Sequence, residues 1–145
     1  MGNKGQFLFL GTSASAGVPV IGCKCPTCTS PSSYNQRLRP SGLVQVKGVS
    51  LLIDVGPDYR LQALKHRIDT LDGLILTHTH YDHIAGIDEL RVYYLQSRKD
   101  LPCLLSKESL EDLKKRYENL FGTWWITWNL KMNRNYFVYS TGNRI

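Results

Sequence analysis

Three of the four histidines fall within six residues, in His78-Thr79-His80-Tyr81-Asp82-His83. Neutral imidazole nitrogens and a carboxylate oxygen are the donors that zinc and related divalent ions prefer. The spacing suggests two metals: His78 and His80 could share one, while the adjacent pair Asp82 and His83 could point to a neighbour. Two ions a few ångströms apart lower the pKa of a shared water and stabilise charge on a substrate oxygen. A histidine-rich turn without metal is the plain alternative, and four donors in one short loop argue against it. The fourth histidine, His66, stands in Lys65-His66-Arg67 and reads as a surface residue.

A second cluster, Cys23-Lys24-Cys25-Pro26-Thr27-Cys28, puts three thiols within six residues. Such close neighbours reach disulfide geometry poorly, whereas thiolates converge readily on a tetrahedral zinc. Three unrelated reduced thiols are the alternative. Zinc needs a fourth ligand, and Cys103 is the only cysteine left, with nothing in the motif to bring it close.

The elements around these clusters read as alternating strands and helices, which favours an α/β layered fold. Phe7-Leu8-Phe9-Leu10 resembles a buried strand entering a small-residue loop, and Cys23 to Arg39 reads as irregular. Leu43 to Lys47 and Val49 to Val55, separated by Gly48, predict a hairpin. Asp58 is placed to cap a short helix carrying Leu61, Leu64 and Ile68. Leu74-Ile75-Leu76-Thr77 predicts a strand delivering the histidine loop to the strand's carboxyl end, where open α/β sheets bind ligands. Ile84 to Gln96 predicts a helix with Ile87, Leu90, Tyr94 and Leu95 on its apolar stripe. Ser106 predicts the cap of a final helix with Leu110, Leu113, Tyr117 and Leu120 on one face.

Composition bounds the rest. At 145 residues with 42% hydrophobic and 21% charged content, the chain suits one globular domain. No apolar run approaches the roughly 18 residues of a membrane helix, and no signal-peptide core is seen. A soluble protein of the reducing cytoplasm, with no membrane partner, is expected. The net charge of +6 invites a nucleic-acid partner, but half of it comes from Lys131, Arg134 and Arg144 in the last 27 residues. That segment holds no acid, seven of the fifteen aromatics and all three tryptophans. The composition breaks near residue 120.

The histidine motif resembles the HxHxDH signature of the metallo-β-lactamase fold. Leu52-Ile53-Asp54-Val55-Gly56 upstream, Leu74 to Thr77 leading in and Ile84-Ala85-Gly86-Ile87 following fit the same pattern. The resemblance implies that His78 and His80 ligate one metal and Asp82 and His83 a second, either zinc or manganese. It also implies that Asp54 orients the loop from behind the ligands, against the alternative of a helix cap or a water-exposed strand-end acid. Gly11 to Cys28 matches the GTxxxxGVPxxGCxCxxC opening of the branch containing the phosphodiesterase accessory to carbon–phosphorus lyase. That branch is also similar to the protein assisting pyrroloquinoline quinone biosynthesis and, more distantly, to transfer-RNA 3′-processing nucleases. In it Cys23, Cys25 and Cys28 resemble ligands of a structural zinc completed by a late histidine.

The implied activity is a metal-dependent phosphodiesterase of small substrates, in which a metal-activated hydroxide attacks phosphorus, with Arg37, Arg39 or Arg91 as candidate phosphate holders. The family pattern needs further ligands downstream, yet no histidine follows His83. The expectation is therefore an αββα layered fold of which residues 1–120 form only the N-terminal αβ half, followed by an atypical aromatic and basic tail at 121–145. Half of such a fold leaves an apolar sheet face uncovered. Activity is then lost through truncation, unless a partner chain supplies the missing donors; separately, a homodimer is considered. The competing expectations are a nucleic-acid-binding protein acting through the tail, and an inert truncated protein.

Overall fold

The computed structural model describes residues 5–117 in full, together with the backbone of residues 128–133 and 136–141. Seven strands form one mixed sheet in the order β1-β2-β3-β4-β5-β7-β6. The first three, β1 (Gln6–Gly11), β2 (Ser41–Val46) and β3 (Val49–Ile53), are antiparallel neighbours, and β2 and β3 form the expected hairpin through Lys47-Gly48. Helix α1 (Tyr59–His66) then carries the chain over to β4 (Gly73–Ile75), which pairs with β3 in parallel. Two short helices, α2 (Tyr81–Ile84) and α3 (Arg91–Ser97), with a 3₁₀ turn at Ile87–Leu90 between them, lead to β5 (Cys103–Leu105), parallel to β4. Helix α4 (Lys107–Arg116) follows, and a hairpin of β6 (Trp128–Asn133) and β7 (Tyr136–Thr141) closes the sheet by pairing β7 antiparallel to β5.

Strand periodicity divides the sheet into two faces. Leu10, Leu43, Leu52, Leu74, Leu76, Cys103 and Leu105 point to one side and are buried with Tyr59, Ile84, Ile87, Leu90, Leu110 and Leu113 from the helical layer. Leu52 is 0% exposed. Leu52→Ala is expected to cost about 2–5 kcal/mol, read as a lower urea midpoint at unchanged slope.

The other face is also apolar. Phe7 and Phe9, Val44 and Val46, Val49, Leu51 and Ile53, Ile75 and Leu104 occupy it in register. None of these side chains is fully buried, and Phe9 is 67% exposed. The N-terminal strand expected to be buried is thus an edge strand with only Leu10 buried. A continuous run such as Phe-Leu-Phe-Leu does not say how many of its faces are covered.

Three other local expectations are corrected. The buried residues of α1 are Tyr59 and Gln62, while Leu61 and Leu64 stand 57% and 62% exposed. Asp58 precedes α1 without a side-chain cap bond, because its carboxylate accepts from Arg39 Nη1 and the Arg39 N–H, both at 2.8 Å. The helix expected over 84–96 is broken near Gly86, so Tyr93 is buried in place of Tyr94 and Leu95 is exposed. By contrast, Ser106 caps α4 as expected, its Oγ accepting from the Ser109 N–H at 3.1 Å.

Strand β5 is only three residues long and has no sequence signal of its own. Leu120 and the side chains of the tail, including Trp124, Trp125 and Trp128, lie outside the described residues. Among the described residues no helix is long and apolar enough to cross a membrane.

Candidate metal centre

The histidine loop sits where β4 ends, beside the end of β3, and the two strand ends are locked by backbone contacts. The Val55 N–H donates to the His83 carbonyl at 2.8 Å, and the Gly86 N–H donates to the Val55 carbonyl at 2.9 Å. This approach leaves no space for side chains. A Cβ on Gly56 would lie 2.1 Å from the Asp82 carbonyl oxygen, and one on Gly86 would lie 2.2 Å from the Gly56 carbonyl oxygen.

Asp54 is the hub of the site. It is 5% exposed and holds a left-handed backbone with φ 57°. Its Oδ1 accepts the Thr77 N–H at 2.8 Å, and its Oδ2 accepts the Thr77 hydroxyl and approaches His83 Nδ1, both at 2.8 Å. These bonds assign the protons. The Thr77 hydroxyl spends its only hydrogen on Asp54, so at 3.0 Å it must accept from His78 Nδ1–H. His83 likewise donates Nδ1–H to Asp54. With both rings neutral, each imidazole thereby keeps its lone pair on Nε2.

Those lone pairs face other donor atoms. His83 Nε2 lies 3.4 Å from Asp82 Oδ2, and His78 Nε2 lies 3.1 Å from His80 Nδ1. The rings of His78 and His83 are 4.0 Å apart between centroids. The structure thus brings His78 to His80 and Asp82 to His83 in two pairs a short distance apart. The four donors stand in pairs, and no three of their donor atoms close to within 4.8 Å of one another as the cysteine sulfurs do.

The cysteines make a tighter group. Cys23, Cys25 and Cys28 place their sulfurs within 4.8 Å of one another, and among the described residues they are the one such set of three or more donors. The Val20 N–H donates to Cys28 Sγ at 3.4 Å, and both the N–H and the hydroxyl of Thr29 bond the Cys25 carbonyl at 3.0 Å. The Cys28 backbone and the Cys23 and Cys28 thiols hold Cys25 down at about 7, against 9.0 for an ordinary thiol. Since the thiolate is the nucleophile, alkylation of Cys25 in reduced, metal-free protein is expected to rise through pH 7. A rise only near pH 9 would contradict this. Cys103 lies apart in the core on β5, where burial pushes its thiol up.

Of the arginines considered as phosphate holders, Arg39 is committed to Asp58, and its Nε donates to the Ser15 carbonyl at 2.8 Å. Arg37 sits in the backbone bridge opposite Val18, and Arg91 opens α3. His66 lies in the last turn of α1, away from the histidine loop in the chain.

Residues 50–129, more than half the chain, match the model of the beta-lactamase superfamily domain. The chain belongs to that superfamily. Among solved structures, this superfamily member resembles a diphosphatase from the PhnP family with a TM-score of 0.74 at 29% identity, over 93% of this chain and 61% of that one. Zinc-bound PqqB from Methylobacterium extorquens matches with a TM-score of 0.53 at 27% identity, over 59% of this chain and 33% of that one. A protein named octanoyltransferase from Porphyromonas gingivalis is 37% identical over 115 residues, which are 79% of this chain and 23% of that protein. The coenzyme PQQ synthesis protein B of Methylobacterium radiotolerans is 34% identical, over 59% of this chain and 33% of its own length. The chain therefore spans a quarter to a third of these curated relatives.

Reading the motif alone missed the parts that hold the superfamily loop in place. Thr77, Gly56 and Gly86 lie within the segments that carry the resemblance, but residue type alone gives them no task. Only the hydrogen bonds and the backbone approach give them a role.

Proposed function

We propose that this chain carries the metal-binding portion of a phosphoester hydrolase. His78, His80, Asp82 and His83 hold two divalent ions, zinc or manganese, and Cys23, Cys25 and Cys28 hold one structural zinc. The observation that carries the reading is the Asp54–Thr77 network, which turns Nε2 of His78 toward His80 and Nε2 of His83 toward Asp82. The likeness to a PhnP-family diphosphatase supports phosphorus chemistry. When bound, divalent ions supply Lewis-acid charge and make water nucleophilic near neutral pH.

The chain's own residues do the positioning. Asp54 fixes the tautomer and orientation of His83, and Thr77 fixes those of His78. Gly56 and Gly86 permit the backbone contact that presents the loop at the strand end. A small phosphodiester is the proposed substrate, and a reducing cytoplasm is the setting in which three adjacent thiols stay free for metal.

Metal analysis with a chromogenic phosphodiester assay tests this. Bound zinc or manganese, hydrolysis abolished by chelator, and loss of both metal and turnover in Asp82→Asn and His78→Ala are the expected results. Metal bound without turnover would remove the phosphodiesterase reading and leave the metal site standing. No metal in either cluster would remove both.

A further inference from the structure

We infer that Ser41 is a positioning residue for the histidine loop, acting through Asp54. Its hydroxyl donates to the Asp54 carbonyl and holds the left-handed backbone from which the Asp54 carboxylate reaches Thr77 and His83. This rests on the metal reading of that loop, and it adds a residue from outside every segment that carries the family resemblance.

The β2–β3 ladder runs as far as Gly42 opposite Ile53, and one step further would set Ser41 opposite Asp54. At that step Asp54 takes φ 57°, a conformation that is unfavourable for a residue with a Cβ, and the ladder ends. The Asp54 N–H donates to the Ile75 carbonyl of β4 at 2.9 Å. The Asp54 carbonyl is left without a ladder donor, and a buried carbonyl must find one elsewhere. Ser41 supplies it. The residue is 7% exposed, and its Oγ lies 2.9 Å from the Asp54 carbonyl oxygen and 3.2 Å from that of Ile53. A hydroxyl has one hydrogen, and the shorter distance assigns it to Asp54.

A residue in such a conformation persists there only while its surroundings hold it. Two holds on Asp54 are the bonds that orient the site, from its Oδ1 to the Thr77 N–H and from its Oδ2 to His83 Nδ1. The holds on its backbone come from β4 through Ile75 and from β2 through Ser41. Without the Ser41 hydroxyl the carbonyl edge of the Asp54–Val55 peptide is free to turn, and the carboxylate loses its fixed distance from His83. The Nδ1–H tautomer that turns Nε2 toward Asp82 is then no longer selected.

Two measurements on the whole chain test this. The first is the imidazole nitrogen spectrum of the metal-free protein, which shows directly which ring nitrogen of His83 carries the proton. The second is manganese(II) affinity, a probe that thiolates take poorly and that reports on the histidine loop alone. Ser41→Ala is expected to bring the Nε2–H form of His83 into the spectrum and to weaken manganese binding about tenfold. Ser41→Thr, which keeps the hydroxyl, should restore both. In an Asp54→Asn background Ser41→Ala should weaken binding no further, since the carboxylate through which it acts is already gone. If Ser41→Ala does not fold, Ser41→Cys, with a weak donor of similar shape, takes its place in every comparison. A lower melting temperature with the parental tautomer and affinity would make Ser41 merely structural and overturn the proposal. So would a loss of affinity that is the same with and without the Asp54 carboxylate. If the parent chain binds no manganese, the metal reading of the loop fails by itself, and the nitrogen spectrum still decides the role of Ser41.

Discussion

Gly56→Ala is expected to remove the folded protein, or to cost it about 3 kcal/mol or more in stability. The added methyl would lie 2.1 Å from the Asp82 carbonyl oxygen. That atom belongs to a backbone segment pinned by the Val55 N–H bond to the His83 carbonyl, so it cannot swing aside as a side chain would. Gly86→Ala meets the Gly56 carbonyl oxygen in the same way, at 2.2 Å. Soluble yield and the thermal transition of each variant provide the check. Gly48→Ala, where nothing lies within 4 Å of the added atom, serves as the comparison, although its φ of 80° makes that change mildly strained as well. If Gly56→Ala melted within a degree or two of the parent, the backbone approach would not be the constraint described.

Asp54→Asn should behave differently, keeping the fold and weakening the site. Asparagine tolerates the left-handed backbone that Asp54 adopts. Its carbonyl can still accept the Thr77 N–H, but its amide now offers hydrogens where the carboxylate accepted them. The His83 Nδ1 must then become an acceptor, which moves the ring proton to Nε2 and removes the lone pair facing Asp82. Metal affinity of the histidine loop should fall about 10–100-fold, as for other changes to carboxylates that orient ligating histidines. Competition with a chromogenic chelator measures it, and a near-parental thermal transition without metal separates the effect from unfolding. Unchanged affinity would mean that the hydrogen bond does not set the tautomer.

The contrast between these variants shows what could be read from sequence. The grouping of His78, His80, Asp82 and His83 in one loop is legible because they adjoin in the chain, and the strand leading into them follows from Leu74-Ile75-Leu76. The β2–β3 hairpin and the Ser106 cap were legible for the same reason, since each is a local device. The helix faces were not. Tyr59 and Gln62 are buried where Leu61 and Leu64 were expected, because the core selects the face that reaches β1 and Tyr93. There the Tyr59 and Tyr93 hydroxyls meet at 2.7 Å, and the Gln62 amide donates to the Arg39 carbonyl at 2.9 Å. Hydrophobicity alone does not encode those hydrogen bonds. Asp58 was read as a cap, but a partner nineteen residues away takes its carboxylate. Strand β5 has too few residues for any pattern and exists because β4 and β7 flank it.

The sheet face bearing Phe7, Phe9, Val46 and Val49 has a consequence for handling the protein. Apolar side chains in water respond to anything that alters the cost of their hydration. Sulfate and other excluded salts should drive the molecules together at concentrations that leave an ordinary polar-faced protein dispersed. Cooling should reverse the effect, because the hydrophobic drive weakens at low temperature. The same face should bind environment-sensitive dyes in the native state, so dye fluorescence would be high before any unfolding begins. A dye-based melting curve would then start from a raised baseline, and circular dichroism would be the safer measure of stability.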